Sequence, residues 1–536
     1  MSCQLDSVSA PELLIYFIIW IAANFYSLYK LFEAQTDVYQ NDYNVLYSLE
    51  ELKPGWRYIS RWQDVSDIEW SSWKFFIQTS WFYLLIQFFV SELIRKTRPL
   101  FLKYWYIISS VMFIVLYMGY RQLIIISIQP LIFASIILCG GKKIIVWCAS
   151  ILLLISYNSL KYKYFFWYFL DRDDLQDEEV YLILFTVAWI KLRCISFCID
   201  YIEKNDKLSE IVIGWNFIFE TILNMFSYVL YLPFLYIGPI ILYEDFQKSF
   251  SVQSTRLSSR IKRFLLDMFL FTSYTFLLDC AFHYIYFLAM QSDIEAMKKL
   301  PTIALCGGGL WSGLEFHLKY VISYGTTTAF ARLDNLDPPP TPRCIARVHV
   351  YSQMWRYFDV GLYKFLVKYI YKPSLALITR NFNLSRIMNK LLSSLSTFVF
   401  IFMWHGTIWN IFVWSILNYL GITLEHLGKA ISSSNYYKLF KCRILKTDAM
   451  ETRFIAMLCT PLLALSAISN FYLFAGTKVG NIYFDCFTHP SFFNSMLVSV
   501  SLYCCCHVSM ALQDVPSRTD GTCFNNLRSN NDKKDK

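Results

Sequence analysis

Charge is what this 536-residue chain has least of. Asp, Glu, Lys and Arg make up 17% of it, where soluble domains carry roughly 25%. No long polar block is left once the apolar runs are set aside, so a separate soluble domain is excluded. Paired C-x-x-C spacing is missing from the 15 cysteines, which argues against a zinc site and a secreted disulfide framework and for buried free thiols. Met1 to Pro11 lack a basic segment, and no small-residue cleavage site follows Leu13 to Trp20. The first span is therefore expected to stay as a signal anchor. No internal or inverted repeat is visible, which disfavours the common secondary-transporter folds. Acids are outnumbered, giving a net charge of +9; in so apolar a chain this marks cytoplasmic loops over anionic lipid and not nucleic-acid binding.

What is abundant is hydrocarbon. The chain is 56% hydrophobic, with a mean hydropathy of +0.38. Helical spans are expected near residues 13–33, 75–95, 104–139 (one or two passes), 143–158, 180–200, 211–243 with a break, 264–290, 302–330, 391–420, 453–475 and 491–511. About nine to twelve transmembrane or re-entrant helices follow. Pro130, Pro233, Gly238 and Pro239 interrupt their spans, and irregular backbone survives at membrane depth only where protein shields it or a cavity is lined. Hydrophilic connections fall at 34–73, 161–179 and 331–349. The expected architecture is an all-α polytopic membrane protein with one integral domain, residues 1–512, and a polar cytosolic tail, 513–536. Lys533 and Lys534 stand fourth and third from the carboxyl end, the dilysine arrangement for retrieval to the endoplasmic reticulum.

Ionisable residues inside such spans are costly and are functional candidates by default. In FVFIFMWHGTIWN, residues 398–410, His405 sits between Trp404 and Trp409, and Gly406 leaves the backbone bare beside it. The residue types admit a catalytic imidazole or a neutral histidine bonded to a neighbouring helix. Between Arg343 and Lys390 there are nine Lys or Arg residues and one acid, Asp359. The bases at 356, 364, 368 and 372 suit a positive cytosolic face, able to meet the phosphates of an acyl-CoA. Opposite charge nearby is expected to lower the Asp359 pKa. Asp359 is read either as a functional carboxylate or as an ion-pair partner of Arg356 or a lysine.

Several stretches fall in an order that resembles the membrane-bound O-acyltransferase (MBOAT) superfamily, and within it the branch that acylates Hedgehog-type signalling proteins. They are WQDVSDIEWSSW (62–73), LRCISFCIDY (192–201), LYIGPIILYEDF (235–246), RLDNLDPPPTPRCI (332–345), MWRYFDVGLYKFLVKYIYKP (354–373), MWHGTIWNIFVWSILNYLGITLE (403–425), SNFYLFAGTKVGNIYF (469–484) and SLYCCCHVSMALQD (501–514). Asp359 stands where many superfamily members have Asn, and His405 is present where a related acyltransferase-like paralogue lacks it.

The resemblance implies the MBOAT fold around an internal chamber, and a protein N-palmitoyltransferase. It would move palmitate from palmitoyl-CoA to the N-terminal cysteine of a secreted, Hedgehog-like protein, giving an amide. It implies His405 and Asp359 as the catalytic pair, with either as the base. Trp355, Arg356, Trp404 and Asn470 are implied at the substrate, Cys344 as ligand of a structural haem iron, and Cys442 as an S-palmitoylated thiol. The enzyme is expected in the endoplasmic reticulum membrane, with the Golgi as a second location, among lipids and as a monomer. A sibling acyltransferase with another acyl chain or a lipid acceptor is the alternative within enzymes; a transporter or scaffold is the alternative outside them.

Overall fold

The computed structural model describes residues 8–40, 51–158, 176–204, 214–251, 255–344, 349–489 and 491–512. The terminal dilysine and most of the acidic stretch at 171–179 lie outside the described residues. Helix dominates because an apolar solvent leaves the backbone no partner but itself. The sheet formed among the described residues is a two-stranded hairpin, Leu52–Pro54 antiparallel to Trp62–Asp64.

Nine helices among the described residues are long and apolar enough to cross a membrane. Two apolar stretches are divided, the first of them expected as one or two passes. Residues 104–139 break after the π-turn Ile114–Met118, at Gly119 with φ +90°, and the Tyr120–Leu138 helix then carries Pro130 inside it. Residues 391–420 break at Gly406 into Arg386–His405 and Trp409–Ser432. The helix Asp448–Thr488 contains a non-helical Gly476, φ +76°.

Burial separates centre from rim. In the Asp177–Lys204 helix 83% of the most apolar window is buried inside the protein, against 6% for Ala10–Asp37 and 11% for Leu257–Ala281. The first is a central post, and the other two turn their side chains to lipid. A second post, Thr302–Leu333, buries Glu315, Lys319, Ser323, Tyr324 and Thr326 to Thr328. Its triple glycine admits neighbours: a Cβ on Gly307 would stand 2.1 Å from the Ser27 carbonyl oxygen of the Ala10–Gln40 helix, and one on Gly308 2.2 Å from the Phe287 ring.

The segment after Trp215–Val229 is irregular and buried from Leu230 to Leu242, as the prolines and Gly238 led us to expect. Side chains take up its backbone groups. Arg193 donates to Val229 O (3.0 Å), Tyr228 Oη to Ile241 O (2.6 Å), and Ser196 Oγ accepts from Tyr243 N (2.9 Å). Gly361 lies against this segment so closely that a Cβ there would meet Ile240 O at 2.2 Å. That contact seats the polypeptide carrying Asp359 on the irregular strip.

The basic run 356–372 is not one solvated face. Arg356, Lys364 and Lys372 are exposed, but Lys368 turns inward to pair with Asp200 (2.8 Å) and Glu244 (2.9 Å). Tyr369 also donates to Asp200 (2.8 Å).

Gly307→Ala is expected to lower stability by about 1–3 kcal/mol, because the Ser27 carbonyl cannot rotate away as a side chain could. Gly313, in the same helix, has nothing within 4 Å of an added Cβ, and Gly313→Ala is expected to leave stability unchanged or raise it by about 0.5–1 kcal/mol. Thermal loss of the monodisperse peak in detergent, followed by fluorescence-detected size exclusion, checks the pair.

Candidate active site

Gly406 explains where the helix stops. Its φ of +130° lies in the region that glycine tolerates, and its N–H closes on Phe402 O at 3.1 Å. His405 is thereby the last residue of its helix. Space is not the reason for this glycine, because a Cβ there would meet only Asn158 Oδ1, at 3.8 Å. Asn158 bridges the break, donating to Met403 O (2.7 Å) and accepting from Thr407 N (3.3 Å).

The His405 ring stands edge-on to Trp404 (centroids 4.7 Å) and Trp414 (5.0 Å). Among the described residues its nitrogens have no hydrogen-bond partner, so the bonded structural histidine admitted by the sequence is not what forms. The imidazole keeps accessible surface, so its nitrogens stay open to an incoming group.

Trp414 is the hinge of this wall, and sequence reasoning passed over it. It is buried, its Nε1 donates to Asn470 Oδ1 (3.3 Å), and its ring packs on Trp355 (5.6 Å). Trp355 in turn donates to Asn418 Oδ1 (3.1 Å). Asn418, fully buried, donates to Trp414 O (2.9 Å) and to Ser469 Oγ (3.3 Å). Trp404 is tied to the central post, donating to Ala188 O (3.2 Å) and packing on Trp189 (5.4 Å).

His405, Trp404, Trp355 and Asn470 thus surround one place, with Trp414 and Asn418 completing it. The signal for Asn418 was present: an uncharged amide inside an apolar span needs partners. Trp414 carried no signal beyond its size. Arg356 faces outward, its guanidinium over the Tyr363 ring at 5.8 Å.

Asp359 occupies a different wall. It caps the short helix Val360–Leu366, accepting from Leu362 N on Oδ1 (2.8 Å). Its Oδ2 accepts from Tyr324 Oη of the buried post (3.1 Å). Among the described residues no ion pair reaches it and no hydrogen bond joins it to His405. The ion-pair reading is therefore corrected, and so is the expected direction of its pKa. Asp359 lies outside the nine candidate spans, and burial pushes its carboxyl up to about 6 against the opposing pull of Leu362 N–H, Tyr324 and Gly361 N–H. The surrounding bases do not reverse this, because Arg356 and Lys364 are exposed and Lys368 is already paired.

Chemically the arrangement offers an unbonded imidazole in an aromatic wall and a carboxylate held by two donors, both within an apolar bundle. Such a site excludes water and suits proton transfer at an activated acyl group. Cys344 is half-buried near buried Cys505. No group of three or more His, Cys, Asp or Glu side chains able to hold a metal ion occurs among the described residues.

Comparison with known proteins agrees with this architecture. Residues 220–469 match the membrane-bound O-acyltransferase (MBOAT) family. The chain is 27% identical over 478 residues to the protein-cysteine N-palmitoyltransferase Rasp of Drosophila melanogaster, covering 88% of this chain and 89% of that protein. It is 28% identical over 291 residues to the protein-cysteine N-palmitoyltransferase HHAT of Mus musculus, 54% of this chain and 56% of that one. Over 385 residues it is 27% identical to the mouse HHAT-like protein, covering 70% and 71%. A multi-pass helical bundle with a histidine at an internal helix break is thus similar, over residues 220–469, to the membrane-bound O-acyltransferase family.

Proposed function

We propose that the chain is a protein-cysteine N-palmitoyltransferase that takes palmitate from palmitoyl-CoA and places it on the N-terminal cysteine of a secreted, Hedgehog-like protein. The observation that carries this reading is His405, unbonded and accessible at a helix break between two tryptophan rings. The long similarity to proteins named for that activity supports it. A thioester needs no further activation. The amine nitrogen attacks the thioester carbonyl carbon, the C–N bond forms as the C–S bond breaks, and CoA leaves as thiolate. The α-amino group, with a pKa near 7.7–8.0, must first lose a proton. Asp359, ionised above about 6, is suited to accept it, and His405 to polarise the thioester or share in the transfer. Attack by the cysteine thiol, followed by S-to-N transfer, uses the same groups.

Trp355, Trp404, Trp414 and Asn470 shape the wall along which an acyl chain would lie, and exposed Arg356, Lys364 and Lys372 form the face for the CoA phosphates. Cys442 is exposed and open to S-acylation. A haem on Cys344 rests on one thiol beside a second, Cys505. That donor set does not by itself require a haem, and no step above runs through one. Residence in the endoplasmic reticulum membrane belongs to the same reading.

The test is purified protein with labelled palmitoyl-CoA and a peptide beginning with cysteine. Amide-linked label is expected, and transfer to a sterol or glycerolipid instead would overturn the acceptor. His405→Ala is expected to reduce kcat by about 10²–10⁴-fold, with the protein still monodisperse.

The pH dependence has a definite sign. With the peptide's own amine titrated separately, log(kcat/KM) should steepen below about pH 6, because Asp359 is then protonated and no longer a base. Asp359→Asn should lower the rate and remove that break. A break that persists in the variant assigns it to another group.

A further inference from the structure

The functional reading leaves the second buried post without a task, although one of its side chains touches the candidate base. Resting on that reading, we propose that Tyr324 is a positioning residue for Asp359, holding the carboxylate so that its remaining lone pair faces the incoming amine. A carboxylate that must take a proton from a substrate has to present one oxygen in a fixed direction. Oδ1 of Asp359 is committed to Leu362 N–H at 2.8 Å, and Tyr324 Oη fixes Oδ2 at 3.1 Å. Without the phenol the carboxylate could rotate about its last bond.

Tyr324 is itself held. It is 1% exposed, and its ring is edge-on to Tyr320 at 5.2 Å. Tyr320 packs on Phe358, beside Asp359, at 5.6 Å, and its hydroxyl donates to Glu69 Oε1 at 2.7 Å. Glu69 pairs with Lys319 at 3.0 Å, and Lys319 also pairs with Asp67, which caps the Ile68–Thr97 helix. The stretch WQDVSDIEW, which had no role in the chemistry, thus anchors through Glu69 the tyrosine pair that backs the carboxylate. The charged and titratable groups around Asp359 and its partner are Tyr324 and Tyr320 on the Thr302–Leu333 post, Arg193 on the Asp177–Lys204 helix and Glu69 on the Ile68–Thr97 helix. Arg356, Tyr357, Tyr363 and Lys364 lie on Asp359's own segment. Of these, Tyr324 is the one whose side chain bonds to the carboxylate.

The experiment is Tyr324→Phe in the full chain, assayed with labelled palmitoyl-CoA and the cysteine-initiated peptide over pH 5–9, beside Asp359→Asn and the double variant. The phenol stabilises the ionised carboxylate, so its loss makes Asp359 easier to protonate. The low-pH break should move upward by about one pH unit, as expected for losing one hydrogen bond to a charged group. kcat should fall by about 10-fold or more, with KM for palmitoyl-CoA little changed. In the double variant Tyr324→Phe should add no further loss, since its partner is already altered.

An unmoved break, or losses that multiply in the double variant, would overturn the proposal and leave Tyr324 a packing residue. A break that survives Asp359→Asn defeats the base assignment instead, so the two failures are separable. If Tyr324→Phe does not fold, 3-fluorotyrosine at 324, a stronger donor, should shift the break downward, and no shift there likewise defeats the proposal.

Discussion

Backbone groups inside an apolar bundle have no water to turn to, and each departure from helix has to be answered by a neighbouring side chain. The irregular strip 230–242 persists because Arg193, Ser196 and Tyr228 supply partners to it. The break at Gly406 persists because Asn158 spans it. The turn at Asp359 persists because the carboxylate caps the helix that follows. Both candidate catalytic residues stand at such departures. Ending a helix frees a side chain from the ladder of its neighbours and leaves it open to an incoming group.

The two residues are served by different machinery. His405 is framed by aromatic rings, and the polar bonds nearby run between those rings and two asparagines. Its aromatic frame offers the ring nitrogens no partner and leaves the imidazole unbonded. Asp359 is framed by donors, with the tyrosine post behind it. A thioester carbonyl and an ammonium require opposite surroundings, one apolar and one able to receive a proton. Two walls of one bundle can provide both where a single cluster could not.

Charge is used sparingly and mostly for structure. Lys319 with Asp67 and Glu69, and Lys368 with Asp200 and Glu244, join helices distant in sequence. Removing one member of the buried Lys319 group leaves the others uncompensated, a cost well above that of an exposed pair. The basic run 356–372, read as one face, therefore divides: part of it is available to phosphates, and Lys368 is structural.

Composition and span length were enough to show an all-helical membrane protein, and the proline and glycine pattern marked the buried strip at 230–242, because hydropathy and missing amide donors act locally. His405 and Trp404 were legible as candidates, since an ionisable group among aromatic side chains in an apolar run demands an account, while Trp355 and Asn470 were named only through the family resemblance. The Asp359 environment was not legible. Counting nearby bases in the sequence predicted a lowered pKa, whereas the fold turns those bases outward or pairs them and buries the carboxylate against Tyr324, 35 positions away. Trp414, Asn418 and Tyr324 acquire their roles only through contacts between helices. The sequence by itself determined which segments enter the membrane and where they break; the tertiary structure alone decided which polar groups meet, because solvation is set by each residue's own chemistry and pairing by the packing of segments far apart in the chain.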